Sequence, residues 1–166
     1  MTTFADSERA RFDRHVLRGP GPTSCWIWVG AIGDDGYGRF WIRDETAPNG
    51  QRAVRPHRWA LAALDHSWSA IDGLQSLHLC DVPLCVRATT GPDTHLIAGT
   101  RSENMRQRSQ RGRLPAPSLP RYKAQSRQHS AARIRELRDA LTRDGWDDAV
   151  IQEIAHGTDP NALTLL

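Results

Sequence analysis

Three cysteines, Cys25, Cys80 and Cys85, constrain the fold of this chain more than any other feature of its sequence. Four residues separate Cys80 from Cys85, which is a feasible reach for two thiolates on one zinc ion. Since the number of thiols is odd, any disulfide would leave one of them unpaired. With His95, they complete a tetrahedral zinc shell that would tie the N-terminal segment to the middle of the chain. Three buried thiols and a surface histidine are the alternative interpretation of this spacing.

Positive charge is concentrated in one segment of the chain. The 166 residues carry a formal net charge of +3, yet residues 101–127 hold seven arginines and one lysine against a single acid, Glu103. A concentrated cationic segment on a nearly neutral protein predicts a polyanionic partner such as nucleic acid. A solvated basic tail is the other interpretation.

Hydrophobicity is sufficient for a folded core but not for a membrane span. Hydrophobic residues make up 39% of the sequence, and no apolar run approaches the roughly 18 residues that cross a bilayer. The N-terminal residues are polar and lack the apolar region of a secretory signal. We therefore expect a cytoplasmic protein with no membrane partner.

Local patterns predict three regions: a main domain over residues 1–113, a proline-containing linker over 114–127 and a C-terminal helical pair over 128–166. Within the main domain we expect a β-hairpin over residues 25–43 and a short strand over 74–79. The predicted helices are 6–18, 56–65, about ten residues from Ser102, 130–143 and 147–156. The C-terminal pair carries a net charge of −3 and could dimerise through its apolar stripes.

A series of short motifs follows in order between residues 11 and 113. They are Arg11-Phe12, Cys25-Trp26-Ile27-Trp28, Gly36-Tyr37-Gly38, His57-Arg58, the run from His78 to Val86, His95-Leu96, Gly99-Thr100, Glu103-Asn104-Met105 and Arg111-Gly112-Arg113. Their order resembles the HNH endonuclease family, in particular its phage-type, zinc-containing branch. The resemblance implies an α+β fold: a ββα-metal finger with an N-terminal β-hairpin, a structural zinc site and a C-terminal helical tail.

The same resemblance implies a metal-dependent nuclease that hydrolyses phosphodiester bonds in DNA, by nicking or by double-strand cleavage. His78 would be the general base, and Asn104 would bind a catalytic Mg²⁺ or Mn²⁺ ion. Cys25, Cys80, Cys85 and His95 would hold the structural zinc. His57 would contact the scissile phosphate or support His78, unless it makes only a structural hydrogen bond.

Six arginines are candidates for contact with DNA phosphates: Arg58, Arg101, Arg106, Arg108, Arg111 and Arg113. For Arg58, a surface salt bridge is the alternative. Leu77 precedes His78 where many HNH enzymes carry an acidic metal ligand. Either another carboxylate replaces it, with Asp81 as a candidate, or the ion is bound by few protein groups and more water. Two other functions fit the sequence: a non-catalytic, zinc-containing DNA-binding module and a phage packaging accessory factor. A homodimer and a phage packaging protein are the protein partners considered.

Overall fold

The fold combines helices with small antiparallel sheets, which confirms the expected α+β class. The computed structural model describes residues 4–110 and 120–156, with the backbone alone at residues 108, 120–127 and 156. Its elements are α1 (Asp6–Asp13), β1 (Val16–Arg18), β2 (Trp26–Trp28), β3 (Phe40–Arg43), β4 (Gln51–Val54), α2 (Pro56–Leu64), a 3₁₀ helix (Ser69–Ile71), β5 (Gln75–His78), β6 (Leu96–Gly99), α3 (Arg101–Gln110), α4 (Pro120–Asp144) and α5 (Asp148–His156). The strands pair as β1–β2, β3–β4 and β5–β6.

The predicted hairpin over residues 25–43 is wrong, because β2 pairs with β1 and β3 pairs with β4. The turn at residues 33–36 does form. The indole of Trp28, however, fills the space beside Gly30 and Gly38, where an added Cβ would lie 2.5 and 2.6 Å from the ring. Since the ring is wedged there, the two segments make only an isolated bridge before they diverge to other partners.

Aromatic side chains fill the first core, between α1, α2 and the sheets. The rings of Phe12 and Trp59 stack with centroids 4.2 Å apart, and Trp28 packs against them. Helix α2 begins at Pro56, as predicted, because a missing N–H costs nothing in the first turn of a helix. The predicted helix over 6–18 is too long, since α1 ends at Asp13 and the chain turns into β1.

The C-terminal helices pack on a second core rather than forming a separate tail. Ile134, Leu141 and Ile154 are buried there together with Ile27 of β2 and Leu84. The apolar stripes that the sequence offered for dimerisation therefore face the protein's own main domain.

Two arginines of α4 reinforce this docking. Arg135 donates to the carbonyl of Gly33 at 2.9 Å, and Arg138 donates to the carbonyl of Gly30. Both acceptors lie in the loop between β2 and β3, so the helix holds the loop as well as the core.

Part of the predicted linker is helical. Helix α4 begins at Pro120, so residues 120–127 continue the helix that the sequence placed from 130 onward. Proline is compatible with a helix start, which makes it an ambiguous signal for a linker. Residues 114–119 lie outside the described residues. None of the helices in the described ranges combines the length and apolar character needed to span a membrane.

The docking of the C-terminal helices predicts the outcome of a core substitution. Leu141→Ala should lower the free energy of unfolding by about 2–5 kcal/mol, because it opens a cavity between α4 and the second core. Urea unfolding followed by tryptophan fluorescence reports this, since five of the six tryptophans lie within residues 26–68. Exposed Gln152→Ala is the control, and an unchanged midpoint in Leu141→Ala would mean that the helices fold separately.

Candidate metal centre and adjacent histidine pair

Four side chains from three parts of the chain converge on one point. The Sγ atoms of Cys25, Cys80 and Cys85 and a ring nitrogen of His95 all lie within 4.8 Å of one another. His95 Nδ1 is 3.3 Å from the sulfur of Cys25 and 3.6 Å from that of Cys85. Tetrahedral zinc with bonds of about 2.3 Å to sulfur places its sulfur ligands about 3.8 Å apart. The group can therefore bind a metal ion such as zinc, and the sequence predicted all four members.

Strand-like pairing with β2 sets the positions of two of the thiols. Trp28 donates its N–H to Leu84 at 2.8 Å, and Val86 donates to Trp26 at 2.7 Å. These hydrogen bonds place the segment that contains Cys85 alongside β2, and Cys25 is the residue directly before β2. The two thiols therefore meet because their backbones are paired.

A buried arginine, Arg87, fixes the loop between Cys85 and His95. Its guanidinium is almost fully buried; it donates to the carbonyl of Ser24 at 2.7 Å and forms an ion pair with Asp93. It thus joins the residue before Cys25 to the residues before His95. Sequence reasoning missed this role, because an arginine after an apolar run carries no signal of partners that lie elsewhere in the chain.

The three thiols depend on one another for their charge. The hydrogen bond with Cys25, followed by that with Cys85, lowers the pKa of Cys80. Interaction with Cys80 raises the pKa of Cys25, and burial raises the pKa of the Cys85 thiol. Three neighbouring thiolates repel one another in a desolvated site, so a bound cation is what would let all of them ionise.

A pair of histidines lies beside this cluster. The rings of His57 in α2 and His78 at the end of β5 meet edge to face, with centroids 5.0 Å apart. His57 is only 6% exposed, and Tyr37 packs against it on another side. Burial, followed by the positive charge of His78, lowers the pKa of His57 well below its ordinary value.

One hydrogen bond determines which ring nitrogen of His78 carries the hydrogen. Its Nε2 lies 3.1 Å from the carbonyl oxygen of Cys85. A carbonyl can only accept, so Nε2 carries the hydrogen and, in the neutral ring, Nδ1 keeps its lone pair. Burial lowers the pKa of His78, while the charges of Cys80 and Asp81 act in the opposite direction. Asp81 itself adopts a left-handed conformation with φ of 62°.

Asn104 lies on α3 and meets the opposite end of β5 from His78. Its Nδ2 donates to Gln75 Oε1 at 2.6 Å, which leaves Asn104 Oδ1 as an acceptor. Side chains alternate along a strand, so Gln75 and His78, three residues apart, point to opposite faces of the β5–β6 pair. Leu77 shares the Gln75 face and is 3% exposed. The sequence did not single out Gln75 as a partner of Asn104.

The predicted DNA-binding arginines fall into three groups. Arg58 donates to the carbonyls of Leu74 at 2.6 Å and Ile71 at 3.2 Å, so it ties α2 to the segment before β5 instead of forming the salt bridge considered above. Arg101 and Arg106 are exposed on α3. The side chain of Arg108 and all of Arg111 and Arg113 lie outside the described residues.

Comparison with known proteins gives a partial match to a phage protein. The chain is 34% identical over 91 residues to Protein 2.8 of Escherichia phage T7, an alignment that covers 55% of this chain and 53% of that protein. The chain thus spans about half the length of the curated relative it matches. No family model matches the chain, and no solved structure matches it.

The cluster predicts how metal content depends on its members. Purified protein should contain about one zinc per chain by elemental analysis, and Cys80→Ser and His95→Ala should lose most of it because three ligands hold zinc less tightly than four. His129→Ala removes an exposed histidine of α4 and should leave the zinc content unchanged. A full zinc content in both cluster variants would exclude this site.

Proposed function

We propose that the protein is a metal-dependent DNA endonuclease of the HNH type. The observation that carries the proposal is the antiparallel pair β5–β6 followed directly by α3, with His78 at the end of the first strand and Asn104 on the helix. This is the order of elements that the sequence resemblance implies for a ββα-metal finger. The Cys₃His cluster beside His78 supports the zinc-containing branch.

In this proposal His78 is the general base. Its Nε2–H is held by the Cys85 carbonyl, so Nδ1 is the atom that would take a proton from the attacking water. Asn104 would place Oδ1 on a Mg²⁺ or Mn²⁺ ion, while Gln75 fixes the orientation of its amide. That ion would stabilise the charge that develops on the phosphate during hydrolysis. The zinc would be structural, since four protein ligands leave no open position.

His57 is proposed as a positioning residue for His78. Its buried ring lies edge-on to His78, and its lowered pKa keeps it neutral near pH 7, so it adds no positive charge beside the base. A neutral neighbour does not oppose protonation of His78 by charge repulsion. The exposed Arg101 and Arg106 on α3, with the Arg108, Arg111 and Arg113 run that follows, would contact the DNA backbone independently of sequence.

A second candidate function is a zinc-stabilised DNA-binding module without catalysis. Two observations favour it. The buried Leu77 puts an apolar side chain in the strand position where a carboxylate would bind the catalytic ion, and Asn104 contacts Gln75, whose side chain points to the face of the β5–β6 pair opposite His78. In that case His78 and Asn104 would have structural roles only, and the basic segment would bind DNA.

Plasmid cleavage separates the two candidates. With Mg²⁺ or Mn²⁺ the protein should convert supercoiled plasmid to nicked or linear forms, and EDTA should stop the reaction. His78→Ala should slow cleavage at least about 10²-fold, because general-base catalysis contributes about 10²–10⁴-fold. DNA affinity and zinc content should not change.

His129→Ala is the matched control and should cleave like the unaltered protein. If His78→Ala cleaves at the full rate, His78 is not the general base. Binding of DNA by the unaltered protein with no cleavage under either divalent ion would establish the second candidate instead.

A further inference from the structure

A groove of about 410 Å³ lies beside the first turn of α2, between β4, the 3₁₀ region and the start of the helix. Three arginines line it, namely Arg52, Arg55 and Arg58. Ala53, Val54, Trp68 and Asp72 complete the lining. This groove is separate from the basic segment that the sequence pointed to, because it belongs to residues 52–72 and not to α3.

The arginines of the groove carry more positive charge than the carboxylates in contact with them neutralise. Arg58 is held by two backbone carbonyls, and none of the described carboxylates forms an ion pair with it. Arg52 is paired with Asp44 at 2.8 Å, but Arg55 shares the single carboxylate of Asp35 with Arg39, so two guanidinium groups meet one acid there. A carbonyl fixes a guanidinium without cancelling its charge, and a shared acid cancels only one of two charges.

Hydrogen-bond donors outnumber acceptors among the polar side chains of the groove. Guanidinium groups and indole N–H groups donate and cannot accept. The guanidinium of Arg52 lies over the Trp68 ring at 4.9 Å, and Trp68 Nε1 is buried with no hydrogen-bond partner among the described residues. Asp72 is the one acid of the lining. A ligand made of anionic acceptor oxygens fits this chemistry, and a phosphodiester is such a ligand.

The groove is connected to the histidine pair through a short series of ring contacts. The guanidinium of Arg55 lies 4.2 Å from the centroid of the Tyr37 ring. Tyr37 packs on His57 with centroids 5.9 Å apart, and His57 packs on His78. Tyr37 and His57 therefore lie between the Arg55 side of the groove and His78.

We infer that this arginine groove binds phosphates of one strand of duplex DNA and so supplies a second backbone contact in addition to that of α3. The inference rests on the proposed function for its choice of DNA as the polyanion. It adds Arg52 and Arg55 to the DNA-contacting residues and gives Arg58 the role of a fixed charge in the groove.

The test measures DNA binding without catalysis. A fluorescein-labelled duplex of about 20 base pairs is titrated with the full chain in EDTA at several salt concentrations, and anisotropy gives the dissociation constant. Arg55→Gln should reduce the slope of log K against log salt by about 0.9, the value for one lost phosphate contact.

Substitutions at Ala53 add charge to the groove without removing any internal contact. Ala53 is exposed and lines the groove, so Ala53→Glu should weaken binding about fivefold and Ala53→Lys should strengthen it by a similar factor. Ala149→Glu, at an exposed position of α5, makes the same charge change away from the groove and should leave the affinity unchanged. A misfolded variant would not gain affinity for DNA. The gain expected for Ala53→Lys therefore distinguishes an effect of charge from loss of structure.

The outcomes separate this inference from the nuclease proposal. If the Ala53 variants bind like Ala149→Glu and the salt slope of Arg55→Gln is unchanged, the groove does not bind DNA, whether or not the protein cleaves plasmid. If the Ala53 variants move in opposite directions but plasmid stays intact with divalent ions, the groove is established and the nuclease proposal fails.

Discussion

The approach of three sulfurs and one imidazole nitrogen to within 4.8 Å of one another is the constraint on which the rest of the structure depends. The ligands come from the residue before β2, from the loop after β5 and from the residue before β6, so one cluster connects the β1–β2 pair to the β5–β6 pair. Bringing three thiols together is costly without a cation, since burial and mutual repulsion oppose their ionisation. Binding of a metal ion would offset this cost, and its binding free energy would stabilise the folded state.

Strand β2 divides the molecule into two cores. Successive residues of a strand face opposite sides, so Trp28 packs into the aromatic core while Ile27 packs against the C-terminal helices. The same strand pairs with the segment that carries Cys85, whose carbonyl accepts the hydrogen bond from His78. A change in the second core would therefore reach the histidine pair through the backbone of one loop.

The sequence predicted those elements whose signals are local. Helix α2 has proline at its start, β5 and α3 follow from patterns within short segments, and Cys80 and Cys85 follow from their close spacing. Prediction from the sequence failed where side chains distant in the chain determine the strand pairing or the hydrogen-bond partners. The wedge made by Trp28 between Gly30 and Gly38 redirected two strands, and the partners of the buried Arg87 include Ser24, which lies 63 residues earlier in the chain. The partner of Asn104 was missed for the same reason, because Gln75 lies in a strand with no marked polar pattern.

The most direct test of this account is a long-range ¹H–¹⁵N correlation spectrum of zinc-loaded protein labelled with ¹⁵N-histidine. The account predicts that His95 has its Nδ1 bound to the metal, and that His78 carries its hydrogen on Nε2 with an unprotonated Nδ1. A spectrum in which His78 carries its hydrogen on Nδ1, or in which His95 shows no metal-bound nitrogen, would contradict the account at its centre.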